Sequence, residues 1–267
     1  VEMPFITNES FIELVRGKTV ALVGPSASAA DILQGSLIDS YDFVARVKSY
    51  YVPVDKRKNY GERIDFLYTD NDNANDVIEG DTVVDNGSKR NIQMSSKNIE
   101  LRQEILRTKV KTVISTCPRA EWFFERSLAR SMNAIAGITD VRIMPDSPYM
   151  EIRKETNRPN AGFSAIIDLV SLPFSEIYIT GIDFYRSLYR QNYRNSLWTK
   201  DTVENMVRSP DGTTPDGTPD FHDPDAQFAY FKYKMYNVDD RIKVDHVFQE
   251  YLENPLYEKF ENCLESK

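Results

Sequence analysis

The chain has 267 residues, enough for one large core, with 41% hydrophobic and 28% charged residues. That composition is ordinary for a globular protein and excludes collagen, coiled coil and wholesale disorder. Lys+Arg 33 against Asp+Glu 41 leave a net charge of -8, which argues against gripping nucleic acid or an anionic membrane, since both need clustered cations.

After a short polar lead, Thr19–Val23 is a continuous β-branched run, read as a buried strand. Similar runs follow at Phe43–Val47, Ile64–Tyr68, Val110–Ile114, Val141–Met144, Ile177–Ile179 and Arg241–Val244. Helical stripes lie between them. Phe124, Leu128, Met132 and Ile135 form one, and Phe163, Ile166, Ile167 and Val170 form another. Strands alternating with helices predict an α/β, Rossmann-like, mostly parallel sheet with helices on both faces. No linker or repeat divides the chain, so residues 1–267 are expected to form a single domain. The acidic Pro/Gly segment 209–224, with Pro210, Pro215, Pro219 and Pro224, excludes a helix or central strand. Such a loop inside a compact domain is expected to be a lid or binding loop.

The candidate chemistry lies at four places. Ligands of open parallel sheets sit beyond the carboxyl ends of the strands, which singles out Gly24, Pro25, Ser26 and Ser28 after the first strand. Small residues there admit a close ligand, and serines can donate to ribose or phosphate. The pattern is neither GxGxxG nor a P-loop, and a plain strand-to-helix turn is the alternative. The second place is Asn160-Ala161-Gly162-Phe163, where Asn160 can cap the amphipathic helix and small residues leave its first N–H groups open to an anion. An ordinary cap is the alternative here.

The third is His222, followed by Asp223-Pro224 opening a helix and Gln227 five residues on. A histidine with a pKa of about 6.5 suits a general base at neutral pH, although a lone loop histidine is commonly structural. His246, in the C-terminal helix, reads as structural. The fourth is Asp70-Asn71-Asp72, a DxD pattern that could hold Mn²⁺ or Mg²⁺, or serve as ordinary turn residues after a strand. Gly181, Asp183 and Tyr185 sit at the end of another strand, where Asp183 can accept from hydroxyls and Tyr185 can donate to phosphate. Arg186 and Arg190 beside them offer a carboxylate a two-pronged partner; a capped strand end followed by a Tyr-rich, solvated helix is the alternative.

These segments together resemble the sialyltransferase family, glycosyltransferase family 29. Val20–Ser26 through Leu37–Arg46 resembles the long sialylmotif, Pro159–Gly162 through Glu176–Gly181 the short one, and His222 with Gln227 the very short His-xxxx-Glu motif. The three occur in the family's order. The resemblance implies a variant GT-A-type fold and an inverting, metal-independent transfer of a 2-keto sugar acid, such as sialic acid, Kdo or another ulosonic acid. Its donor would be CMP-activated and its acceptor a glycan hydroxyl. It also implies that Gly24, Pro25 and Ser26 hold the nucleotide, that Asn160–Gly162 meet its ribose or phosphate, and that His222 takes the acceptor's proton. Arg46, Lys48, Arg158 and Arg186 would be the local positive charges. No cofactor is expected. Alternatives are a metal-dependent UDP- or GDP-sugar transferase built on Asp70 and Asp72, and a non-catalytic nucleotide- or glycan-binding module.

This sequence departs from the family's pattern in several places. The family's two motif cysteines correspond to Val20 and Phe174, the usual first-turn Asn to Pro25, the Asn closing the long motif to Lys48, and the short motif's Ser-Thr to Asn160-Ala161. Gln227 stands for Glu, and no His-Tyr motif is found before His222. The two cysteines present, Cys117 and Cys263, exclude a disulfide framework and Cys-based zinc modules, so a thiol-reducing, cytoplasmic setting is expected. The start at Val1-Glu2 carries no signal-peptide pattern, and no stretch reaches the roughly 20 apolar residues of a membrane helix.

Overall fold

The computed structural model describes residues 5–69, 76–85, 90–125, 135, 138–190, 193, 212–213, 219–260 and 262. In chain order the elements begin α1 (Asn8–Val15), β1 (Thr19–Val23), α2 (Gly35–Ser40), β2 (Phe43–Val47), α3 (Arg57–Tyr60) and β3 (Phe66–Thr69). A hairpin, β4 (Thr82–Asp85) and β5 (Arg90–Gln93), precedes α4 (Ser96–Thr108), β6 (Thr112–Ser115) and β7 (Asp140–Ile143). Then come α5 (Tyr149–Thr156), α6 (Ala161–Ser171), β8 (Glu176–Thr180) and the two-residue strands β9 (Gly212–Thr213) and β10 (Pro219–Asp220). The chain closes with α7 (Pro224–Tyr230), continued by a wider π-helical turn over Phe231–Tyr236, then β11 (Ile242–Val244) and α8 (His246–Glu253).

Seven strands make one sheet in the order β11-β8-β1-β2-β3-β6-β7. Every pairing in it is parallel. The fold is therefore α/β and Rossmann-like, as the alternation of strands and helices predicts. Period two sorts the side chains. Val20 and Leu22 of β1 join Phe43, Ala45, Phe66 and Tyr68 in a core under α1, α5 and α6. Ala21 and Val23 point the other way and pack with Val44, Ile38 of α2 and Tyr60 of α3. Near the far edge of that second face, Leu67 and Val113 pack on Ile105 and Leu106 of α4.

The strands β1 and β2 coincide with the predicted runs, whereas the others shift by one or two residues. The apolar run marks what is buried, while the ladder begins where neighbours can pair. Ile64 is buried but precedes β3, because Asp65 spends its carboxylate on the Val44 N–H and its own N–H on the Val44 carbonyl. Of the predicted stripe from Phe124 to Ile135, the two ends are buried and the residues between lie outside the described ones. So do Asp70, Asn71 and Asp72, Cys263, and half of segment 209–224. Within that segment β9 pairs antiparallel with β10, apart from the main sheet. No helix among the described residues is long and apolar enough to cross a membrane.

Candidate functional site

The chain steps outward from β1 through β2, β3, β6 and β7, then returns to place β8 on the other side of β1. At such a reversal the loops leave the two central strands in opposite directions and open a crevice at their carboxyl ends. A cavity of about 370 Å³ lies there. Pro25 and Ser26 follow β1, Val47 and Lys48 end β2, Thr116 and Cys117 follow β6, and Gly181–Tyr185 follow β8; all line it.

Two glycines bring the ends of β1 and β8 together beneath the cavity. A Cβ on Gly24 would come 2.1 Å from the Gly181 carbonyl oxygen, and one on Gly181 would come 2.6 Å from that of Gly24. Gly181 also has φ +66°, which an L side chain rarely adopts. The small residues thus admit each other's backbone: Gly24 N–H donates to the Thr180 carbonyl at 2.8 Å and Ser26 N–H to that of Gly181 at 2.9 Å. Gly24 has a packing role and does not line the cavity.

Ser26 donates to Asp183 Oδ2 at 2.6 Å, and so does Ser187 at 2.6 Å. Burial raises the Asp183 pKa above the ordinary carboxylate value, opposed by these hydrogen bonds and by the charge of Arg186. Asp183 is therefore held inside the wall by serines, and the Ser26 hydrogen predicted for ribose or phosphate goes to Asp183. Ser28 lies behind that wall, its hydroxyl 2.9 Å from Ser26 Oγ.

Lys48 (φ 57°), Asn157 (φ 55°), Phe184 (φ 52°) and Tyr185 (φ 65°) are the described non-glycine residues in the left-handed region. Such conformations cost of order 1 kcal/mol or more each and gather at ligand sites. Three of the four line this cavity.

The opposite wall is the start of α6. Asn160 Oδ1 accepts from Phe163 N–H at 2.9 Å, the predicted cap. Ala161 and Gly162 come next, and the helix itself offers their N–H groups no acceptor. Both line the cavity, at the positive end of the helix. Phe163 turns inward and is fully buried in the core. Behind the cap, buried Gln227 donates to the Arg158 carbonyl at 2.9 Å and accepts from Asn160 N–H at 3.4 Å. Gln227 thus braces this loop through the backbone.

His222 pairs with Asn157 in an isolated antiparallel bridge. Its Nδ1 is 2.8 Å from the Arg158 carbonyl oxygen. A carbonyl only accepts, so Nδ1 carries the hydrogen and Nε2 of the neutral ring is left as the acceptor. The Arg158 guanidinium sits 3.5 Å from Nε2 and 5.3 Å from the centre of the Phe123 ring. His222, Arg158 and Phe123 all line the cavity.

Of the other predicted positives, Lys48 lines the cavity and two arginines do not. Arg46 is buried and donates to the carbonyls of Tyr60 and Arg63. Burial and the nearby Arg190 charge bring its pKa down to about 10, leaving it protonated at neutral pH. Arg186 pairs with Asp225 at 3.0 Å and donates to the backbone carbonyls of Phe184, Pro224, Tyr257 and Glu258. Arg190, also offered to a carboxylate, pairs with buried Asp76 at 2.5 Å. Long donors on a strand end serve as cross-braces when backbone carbonyls converge on them, and no local pattern announces that convergence.

The sequence reading missed Thr116, Cys117, Phe123, Tyr149 and Ser187. Thr116 and Cys117 follow a predicted strand and could have been found by applying the carboxyl-end rule to β6. Tyr149 has no such signal: it reaches the cavity from α5, and burial together with Glu121 holds its hydroxyl pKa well above the usual value.

No family model and no curated protein matches this sequence. Among solved structures, a mammalian sialyltransferase in complex with Gal-beta-1-3GalNAc-ortho-nitrophenol is similar at a TM-score of 0.44 and 12% identity, covering 90% of this chain and 73% of that one.

Proposed function

We propose that this protein is a glycosyltransferase that moves a 2-keto sugar acid from a CMP-activated donor to a glycan hydroxyl, with inversion and His222 as the base. The observation that carries the reading is the neighbourhood of His222. Its Nδ1 is tied to the Arg158 carbonyl at 2.8 Å, and the residues immediately following Arg158 form the start of α6. An acceptor for a proton and a site for an anion therefore share one cavity. The three segments that resemble the sialylmotifs all contribute to it, although they are far apart in the chain.

The chemistry follows from these parts. An acceptor hydroxyl gives its proton to His222 Nε2 while its oxygen bonds to the anomeric carbon from the face opposite the phosphate. The carbon–oxygen bond to phosphate breaks, and CMP leaves with the electron pair. Negative charge growing on that phosphate is stabilised by the Ala161 and Gly162 N–H groups and the helix dipole, with Lys48 as a further positive charge. No metal ion is required in this scheme.

Thermal-shift measurements with CMP, UDP and GDP, each with EDTA and with Mn²⁺, test the reading, since a ligand that binds the native state raises Tm. CMP alone should do so, with or without the metal. A shift confined to UDP or GDP with Mn²⁺ would favour the metal-dependent alternative at Asp70 and Asp72.

A further inference from the structure

We infer that Arg158 is a specificity-determining residue, whose guanidinium takes the carboxylate of the sugar-acid donor; this rests on the function proposed above. In a 2-keto sugar acid the carboxylate is bonded directly to the carbon that reacts. A base must be within about 3 Å of the attacking hydroxyl, and that hydroxyl about 3–3.5 Å from the reacting carbon. The carboxylate therefore has to lie beside the base. The group the structure puts beside Nε2 of His222 is the Arg158 guanidinium, at 3.5 Å.

Three further features fit this role. The Phe123 ring, 5.3 Å away, holds the guanidinium at the cavity wall. The Arg158 backbone is fixed twice, since its carbonyl accepts from both His222 and Gln227, so base and guanidinium are positioned by one residue. Finally, the fork of a guanidinium matches two carboxylate oxygens, which the point charge of Lys48 does not. Lys48 and the start of α6 remain for the phosphate.

The test compares wild type, Arg158→Lys and Arg158→Met by titration calorimetry with CMP and with CMP-N-acetylneuraminate or CMP-Kdo, whichever wild type binds. CMP has no carboxylate, so its affinity should change less than about threefold, while the Met variant should lose about 10–100-fold for the CMP-sugar acid, the size of a charge-assisted hydrogen bond. The Lys variant should recover part of the loss. In turnover, the donor KM should rise more than kcat falls. Equal loss for CMP and the CMP-sugar acid would move Arg158 to the phosphate and overturn the assignment. Unchanged affinities with a lower kcat would do the same, leaving an effect on His222 alone. Should Arg158→Met not fold, the carboxyl methyl ester of the donor supplies the cut from the other side. It should bind wild type about 10–100-fold more weakly than the acid, and equal binding of ester and acid would refute the contact. If wild type binds neither CMP nor a CMP-sugar acid, the proposed function falls first and the assignment with it.

Discussion

One helix, α6, carries charge at two places that are used in opposite ways. In its middle, Asp168 is fully buried and receives Arg142 on both oxygens, at 2.6 and 3.0 Å, and the Tyr68 hydroxyl at 2.7 Å. Arg142 in turn donates to Asn8 and lies 4.5 Å from the centre of the Phe11 ring. At its start, the loop 158–160 is braced by the backbone, through Gln227 and His222, and the helix leaves its first N–H groups toward a cavity. The core cluster uses side chains against side chains, so it is closed. The cavity cluster is held largely through backbone groups, the Arg158 carbonyl and the Asn160 N–H, and its side chains line the cavity.

The sharpest way to break this contrast is Asp168→Ala. It strands a buried guanidinium and should cost about 3–5 kcal/mol of stability, read by denaturant unfolding, with turnover per folded molecule little changed. A loss of turnover exceeding the loss of folded protein would mean the two clusters are coupled. His222→Ala should do the reverse, lowering transfer by at least about 10²-fold while CMP affinity stays close to wild type and Tm falls only slightly, since Gln227 still braces the Arg158 carbonyl. Unchanged turnover in that variant would sink the base assignment. Asn160→Ala removes a cap and should cost about 1 kcal/mol, with weaker CMP binding because the α6 N-terminus is no longer held. Stability lost with no change in CMP affinity would detach the cap from the site.

The smallest effect concerns Asp183. Its folded pKa is raised by burial, so between the unfolded value and the raised one the folded state holds more protons. Stability then falls as pH rises through that window. Asp183→Asn should flatten this part of the curve relative to wild type and raise Tm slightly at neutral pH. A difference curve that rises instead would mean that the serine bonds outweigh burial.

Much of the site was legible because it obeys local rules. The cap at Asn160 follows from residue type and the start of an amphipathic pattern, and the helix opening at Asp223-Pro224 from its proline; both are present. The strand ends at Gly24 and Gly181 follow from the carboxyl-end rule, whereas Lys48 entered only through the resemblance. What was not legible is which polar groups the protein spends on itself. Arg46, Arg186 and Arg190 look alike in sequence to Arg158, yet they are committed to carbonyls or carboxylates brought from as far as 139 positions away. Ser26 likewise looked like a ligand donor until Asp183, 157 residues on, took its hydrogen.

Alternating runs of β-branched residues and helical stripes were enough to determine a parallel sheet covered on both faces, because burial on each side leaves its own period in the chain. Composition and net charge were enough to argue against a surface that grips nucleic acid or an anionic membrane. Only the tertiary structure decided that Gly24 and Gly181 exist for each other, that Gln227 braces a loop, and that Arg158 presents its carbonyl to one nitrogen of His222 and its guanidinium to the other. Those are meetings between distant segments, and a hydrogen bond's short reach makes them a property of the packed sheet and loops, with no counterpart in local spacing.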